Sequence, residues 1–403
     1  MASQVVVVGQ GLAAVATAHA LLGRGCAVLL IEEREPVVVA GPSAEVESYR
    51  PWWPWDEVMT RLASHGTDLL DQLHLAAGGA FDMNRRGQLL VAAEPDTANR
   101  LQIAAGRYAA SGGGPLREHT SPDWYLPPPL DGVRGVPGGL DLLEGRGLLG
   151  AMPFLGPGAR LGVMVRRAGW VDGRGLRRWL LGVFRAGGGT SASDSLSGAV
   201  RAGTEGWTIS LASGLKVRAD GIVLAGSRAA SLARKIGVDL SLLSGTRFAA
   251  VLRGSATLLG TAPPMVTVLN APESDDGSAP DLRADGADLR IERLVPRAAT
   301  ADGPALASSI LGRIAETVPG LTTHRGPPDR LEVSLTAATI GLDRRPLAGV
   351  VDRRGCYVVT GLEADVSLTL GAADLVAGYF GHDRLPSVAP AVAPSRLTLP
   401  IDF

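Results

Sequence analysis

The chain opens on a run of β-branched apolar residues, Val5 to Val8, with no polar position among them. A strand of that pattern is buried on both faces, as in a parallel sheet. Small and apolar residues then recur at Ala14, Ala18 and Leu21, one stripe of a helix closed by Gly23 and Gly25. A second apolar strand runs from Cys26 to Ile31 and ends in Glu32-Glu33. Further along, the pattern predicts a helix from Leu176 to Ala186, strands from Trp207 to Val217, an apolar strand from Gly221 to Ala225, a strand from Cys356 to Thr360 and a helix from Leu370 to Tyr379. The runs Met265 to Leu269 and Leu289 to Leu294 predict an antiparallel sheet. Ala305 to Val318 reads as an amphipathic helix stopped by Pro319-Gly320. Two stretches show no period: Ala271 to Asp288 reads as a polar hairpin loop or disorder, and Pro127 to Gly162 as a long glycine-rich irregular insertion.

The first strand, turn and helix carry chemistry. Gly9-Gln10-Gly11-Leu12-Ala13-Ala14 joins them. Gly9 permits the tight turn, Gly11 lets backbone N–H groups approach a pyrophosphate, and the small Ala14 lets the helix pack on the strand. Glu32 stands about 20 residues beyond Gly11, the spacing at which a carboxylate accepts ribose hydroxyls. A glycine turn alone says little, but the strand before it, the helix after it and the acid beyond agree on a dinucleotide. An acid at the ribose position argues against a 2′-phosphate, leaving FAD or NAD.

Composition narrows the rest. With 39 basic against 40 acidic side chains, nucleic-acid binding is excluded as a main activity. No apolar stretch of about twenty residues follows the start, and no basic leader precedes it, so neither a membrane span nor export is expected. Cys26 and Cys356 have no partner spacing, which excludes a CxxC or zinc framework and fits a reducing cytoplasm. No histidine has metal-ligand or nucleophile spacing. Apart from Lys216 and Lys235, all cationic side chains are arginine.

The positions Gly9, Gly11, Ala14, Ala18, Leu21, Gly25, Val28 and Glu32 resemble the FAD fingerprint of glutathione-reductase-like flavoproteins. Four later segments are similar, in order, to the D-amino acid oxidase and glycine/sarcosine oxidase superfamily: Phe81 to Leu89, Gly169-Trp170-Val171-Asp172-Gly173 to Leu176, Ala219 to Gly226, and Asp343-Arg344-Arg345-Pro346 to Gly349 with Tyr357 to Gly361. The aromatic-ring monooxygenase branch shares the first motif, but its later Gly-Asp-Ala turn is missing. The resemblance implies an α/β protein. Residues 1–78, 163–240 and 341–385 would form a discontinuous Rossmann-type FAD-binding domain, and 79–162 with 241–340 a substrate domain on an antiparallel sheet. Residues 386–403 would be a tail. It also implies FAD contacts at Gly9, Gly11, Leu12, Ala13, Ala14, Glu32, Glu33, Arg34, Ser43, Gly226, Gly361 and Val366.

In this superfamily the flavin takes a hydride from the carbon beside an amine nitrogen and an imine results, so the protein has only to orient the substrate. Several family groups are changed here. Thr336 stands where some relatives attach FAD through cysteine, which implies a noncovalent cofactor. Ala338 stands where amino acid oxidising relatives place a carboxylate-binding arginine. A carboxylate would then need Arg50, Arg247, Arg253, Arg293 or the pair Arg344/Arg345. Neither lysine falls in the substrate segments, which implies slow oxygen use and a dehydrogenase-like enzyme. The glycine-rich flavin loop is altered at Glu363, Ala364 and Val366. Tyr49, Arg50, Trp52, Trp53 and Trp55 form an aromatic segment that either walls a bulky substrate or packs the domain seam. The expected activity is FAD-dependent oxidation of a C–N bond in a small amine or amino acid, with the changed groups pointing to a specialised biosynthetic substrate. Alternatives are a flavin monooxygenase or reductase, or a redox-inactive binding protein. A carrier protein or a homodimer stays open as partner.

Overall fold

The structure is a computed structural model that describes residues 2–33, 46–121, 125–128, 138–201, 206–240, 242–269, 279–296, 303–323, 331–352, 355–362, 365–381 and 384–397. Among these residues, six strands form one sheet in the order Thr190–Asp194, Ala27–Glu33, Gln4–Gly9, Gly221–Ala225, Cys356–Thr360 and Leu347–Asp352. The first five run parallel and the last turns back antiparallel. Val5 and Val7 pack against helices Gly11–Gly23, Gly173–Ala186 and Val366–Gly378 on one face. Val6 and Val8 pack toward the other, which is covered by the antiparallel meander Leu196–Arg201, Trp207–Leu211 and Lys216–Ala219. Burial on both faces is why this strand has no polar alternation.

A second sheet has nine strands among the described residues, in the order Leu331–Gly341, Leu242–Leu252, Asp288–Pro296, Asp281–Asp285, Met265–Leu269, Gln88–Ala92, Leu161–Val165, Leu140–Glu144 and Leu116–His119. It is mostly antiparallel, but Met265–Leu269 runs parallel to Gln88–Ala92, and Leu116–His119 to Leu140–Glu144. One face presents Leu89, Val266, Phe248 and Ile291 to a core that includes helices Gly145–Ala151 and Gly303–Thr317. The other face is divided. Over Leu90, Val163 and Leu142 it is apolar and covered by helix Pro95–Ala110. Over the remaining strands it is charged. A small sheet of Val46–Tyr49, Gly169–Asp172 and Met83–Asn84 lies in the connections between the two large ones.

Three expectations change. Ala271 to Asp288 is not all loop, because Asp281–Asp285 is a strand joined to Asp288–Pro296 by a tight turn at Gly286 (φ 60°). An Asp-Gly turn between alternating strands is a hairpin signal, hidden here by charged residues at every second position. Pro127 to Gly162 is likewise ordered beyond residue 138, into strand Leu140–Glu144 and helix Gly145–Ala151. Gly147 serves close packing there, since a Cβ would lie 2.6 Å from the His119 carbonyl oxygen. Strand Leu161–Val165 also runs across the expected boundary at 162/163. No helix of the described residues is long and apolar enough to cross a membrane, and no cluster of His, Cys, Asp or Glu among them could hold a metal.

Candidate active site

The fingerprint turn forms a cradle at the carboxyl ends of the parallel strands. A Cβ on Gly9 would stand 2.0 Å from the Ala225 carbonyl oxygen, so only glycine lets the two central strands end side by side. Gly11 has φ 73°, and a Cβ there would meet nothing within 4 Å, so it faces open space. Helix Gly11–Gly23 begins with no side-chain cap and no acid in its first turn. Its first N–H groups and the positive end of its dipole therefore face that space, an arrangement suited to a pyrophosphate. Gln10 Oε1 is buried beside the turn with no hydrogen-bond partner among the described residues. Leu12, Ala13 and Ala14 are buried in the first turn and fix the helix on the sheet.

Glu32 and Glu33 diverge at the end of the neighbouring strand. Glu32 lies beside Gly9 in register and accepts from Arg177 at 2.5 Å. Glu33 turns to the opposite face, where it is buried and accepts the Leu196 N–H at 2.7 Å. That bond ties the meander to the parallel sheet. Gly226 donates its N–H to the Val359 carbonyl oxygen at 2.8 Å, and its own carbonyl accepts from Thr360 Oγ1 at 2.9 Å. Gly361 directly follows strand Cys356–Thr360, and Val366 is the buried first residue of helix Val366–Gly378. Arg34 and Ser43, like Glu363 and Ala364, lie outside the described residues.

The amino end of helix Val366–Gly378 meets the charged sheet face through one side chain. Asp365 caps this helix, accepting the Leu368 N–H at 3.0 Å, and also accepts from Arg50 Nε at 3.2 Å. Arg50 Nη2 reaches Asp281 on the large sheet at 2.7 Å, and its guanidinium lies 5.0 Å over the Trp53 ring. Asp281 in turn accepts from Thr267 Oγ1 at 2.5 Å, and Thr267 from Gln88 Nε2 at 2.7 Å. Gln88 Oε1 is buried without a partner among the described residues.

In-register pairing places Glu292, Asp281, Thr267 and Leu90 on one face, with Arg247, Arg283 and Arg290 alternating onto it. Glu292 is shared by Arg290 (2.6 Å), Arg247 (3.3 Å) and Arg283 (3.5 Å). Burial opposes its charge, yet these arginines hold its carboxyl down at about 2. Burial pushes the Glu47 carboxyl, which faces the same cluster, above the usual range. Apart from Arg247, this face is not among the sequence-based candidates. Its signal is an Asp-x-Arg-x-Asp and Asp-x-Arg-x-Glu hairpin whose arginines, Arg283 and Arg290, turn out to be only 2% and 3% exposed.

The other candidates go elsewhere. Arg253 sits exposed at the strand end with Asp288 and Glu332, and Arg293 pairs in register with the core residue Phe248, on the opposite face. Arg293 misses the charged cluster because a one-residue step along a strand reverses the face, and Arg253, just past the end of strand Leu242–Leu252, is held by Asp288 and Glu332 instead. Arg345 is held by Asp56 at 2.6 Å. Tyr49 is buried and donates to the Asn84 carbonyl oxygen at 3.0 Å. The three tryptophans do not form one wall. Trp52 packs 5.6 Å from Tyr108 in the core under helix Pro95–Ala110, Trp55 stacks with Arg100, and only Trp53 reaches Arg50. Thr336 lies opposite Arg247 on the neighbouring strand and Ala338 opposite Gly245.

Burial lifts the Asp365 carboxyl to about 7, against the pull of Arg50 and the Leu368 N–H. The native state then keeps a proton that the unfolded chain releases near 3.8. Stability contributed through this group therefore falls as pH rises from about 4 to about 7, on the order of 1 kcal/mol per pH unit at the steepest. Asp365→Asn retains a capping oxygen and removes the titration. The stability of the wild type relative to this variant is expected to decline across that window, as read by denaturant titration at several pH values. A constant difference would contradict the assignment.

A family model of FAD dependent oxidoreductases matches residues 4–379. No curated protein matches the sequence. Among solved structures, glycine oxidase from Geobacillus kaustophilus is 17% identical with a TM-score of 0.71, over 96% of this chain and 98% of that one. L-proline dehydrogenase from P. horikoshii is 15% identical with a TM-score of 0.74, over 98% and 97%. Iminodiacetate oxidase from Chelativorans sp. BNC1 is 19% identical with a TM-score of 0.68, over 97% and 98%. At these identities the likeness speaks for the fold alone.

Proposed function

The chain belongs to the D-amino acid oxidase and glycine/sarcosine oxidase superfamily of FAD dependent oxidoreductases, and from that premise we propose that it oxidises the C–N unit of a small amino acid. When bound, FAD supplies the two-electron acceptor for that oxidation. The Gly9–Ala14 turn and the uncapped helix start would hold its pyrophosphate, with Glu32 at the ribose. Gly226 and the Gly361 to Val366 segment would line its path toward the large sheet.

The observation that carries this reading is the Arg50 bridge. It joins the helix start at Asp365 to Asp281 on the charged face, so one side chain spans from the cofactor-facing helix to the sheet. That face, lined by Arg247, Arg283 and Arg290, suits a substrate carboxylate. An arginine here would take the part of the group missing at Ala338. The Arg50 pairs fix the spacing between the two walls, so the substrate is oriented by rigid strands rather than by loops. The division at 1–78, 163–240 and 341–385 against 79–162 and 241–340 belongs to the same reading, with the substrate part extended through Val165.

Three positions support a dehydrogenase-like enzyme with a noncovalent cofactor. Lys216 is on the exposed meander and Lys235 donates to the Leu196 carbonyl oxygen at 2.6 Å, so neither is on the charged face. Thr336 offers no thiol for a covalent link. Acid precipitation is expected to release the yellow chromophore into the supernatant. Anaerobic mixing with a panel of amino acids and the matching amines should bleach the flavin band only with the carboxylate-bearing members, and peroxide should form slowly in air. Bleaching by NAD(P)H and by no amino acid would replace this reading with a reductase or monooxygenase. A spectrum without flavin would leave only the fold.

A further inference from the structure

We infer a second binding site, for a small organic anion with an apolar body, in the cleft between helices Glu57–Ala77 and Val366–Gly378 closed by residues 384–388. It lies apart from the cofactor cradle and does not rest on the proposed reaction. The cleft follows from how the two helices meet. A Cβ on Gly66 would stand 1.7 Å from the Ser367 carbonyl oxygen, and one on Gly371 2.4 Å from that of Leu62, so the helices cross in backbone contact there. Beyond the crossing, toward the carboxyl end of the second helix, a cavity of about 320 Å³ opens. Asp374 on its wall is nine residues past Asp365, roughly 13 Å along the helix axis.

Its floor is apolar, made by Leu62, Leu375 and Val388, all buried, and half-buried Leu385. Its rim carries Arg24, Arg61, His65 and Arg384 against a single carboxylate among the described lining residues, Asp374. That carboxylate already accepts from Arg24 and from His65 Nε2, each at 2.8 Å. The hydrogen bond with Asp374 holds the imidazole above its usual range. Arg61 meets Ser387 Oγ at 3.3 Å and forms an exposed pair with Glu57, a contact that contributes little. Guanidinium groups around an apolar floor focus an anion and reward a hydrophobic body beneath it. The volume admits one or two rings or a medium chain, but not a dinucleotide. The apolar floor offers nothing to inorganic phosphate or sulfate, so an aryl or alkyl carboxylate or sulfonate is the class that fits.

The test is a fluorescence titration of the FAD-loaded protein with anilinonaphthalenesulfonate, beside phenylnaphthylamine, which lacks the sulfonate. The charged dye is expected to saturate one site at least about fivefold more tightly than the neutral one. Arg61→Glu combined with Arg384→Glu, both on exposed side chains, should weaken the charged dye about tenfold and leave the neutral dye and the flavin spectrum unchanged. Leu385→Trp, which fills the floor, should abolish saturable binding of both. Equal affinity for the two dyes, no saturable binding, or indifference to the double charge reversal would overturn the assignment. The charge-reversal pair decides it alone should Leu385→Trp prove unstable.

Discussion

Gly11→Val is expected to yield a folded, colourless protein. The Gly11 Cβ position meets no other part of the fold within 4 Å, so a side chain there starts out into open space. The cost to folding is the left-handed backbone at φ 73°, about 1–2 kcal/mol for a residue with a Cβ. The cost to the cofactor is larger, because the isopropyl group stands where phosphate oxygens would approach the first N–H groups of the helix. FAD affinity should fall on the order of 100-fold, about 2.7 kcal/mol. The checks are flavin absorbance per mole of purified protein and a titration of stripped protein with FAD. Gly9→Val makes a contrast, since its Cβ would overlap the Ala225 carbonyl and disrupt the sheet itself. A yellow Gly11→Val protein with wild-type FAD affinity would remove the cradle from the cofactor site.

Glu292→Gln is expected to be the most destabilising single change on the charged face. The substitution keeps the shape and removes the charge that Arg247, Arg283 and Arg290 share. Breaking a buried ionic cluster from one side costs about 3–5 kcal/mol, because the guanidinium groups stay desolvated. Denaturant unfolding of the FAD-loaded protein at neutral pH should show a loss of that order, with Glu292→Asp intermediate. The pH dependence is a second check. A carboxyl held at about 2 in the fold and near 4.5 when unfolded contributes stability that is complete above 4.5 and lost as pH falls through about 2. The gap between wild type and Glu292→Gln should therefore close in acid. A loss below about 1 kcal/mol at neutral pH would mean that water or flexible neighbours already satisfy the arginines.

What could be read before any coordinates was local. The strand, turn, helix and second strand of residues 4–33 occupy one contiguous stretch, and each glycine is set by neighbours a few positions away. The charged face is the opposite case. Glu47, Arg247, Asp281, Arg283, Arg290 and Glu292 come from four strands, and along each strand their alternation reads as an ordinary solvated surface. Only the pairing of Asp281 with Glu292 and of Ala249 with Glu292 turns those separate stripes into one buried array. In the sequence Arg50 is one of several arginines that could meet a carboxylate and one member of an aromatic segment, yet its position is fixed by Asp281 and Asp365, 231 and 315 residues away. Arg293 shows the limit from the other side, since it stands next to Glu292 on strand Asp288–Pro296 yet lies on the opposite face, and neither composition nor motif reveals the facing of one residue against the next. The aromatic segment fails for the same reason: adjacent indoles on an extended chain have no obligation to share a neighbour.

The parallel sheet also sets a schedule. Strand Gln4–Gly9 hydrogen-bonds to Gly221–Ala225, and that strand to Cys356–Thr360, so the centre of the sheet is completed only by segments made much later on the ribosome. The Gly9–Ala14 turn, backed early only by strand Ala27–Glu33, must wait for those later partners. Pairings this distant in sequence are slow to form and leave sticky edges open meanwhile.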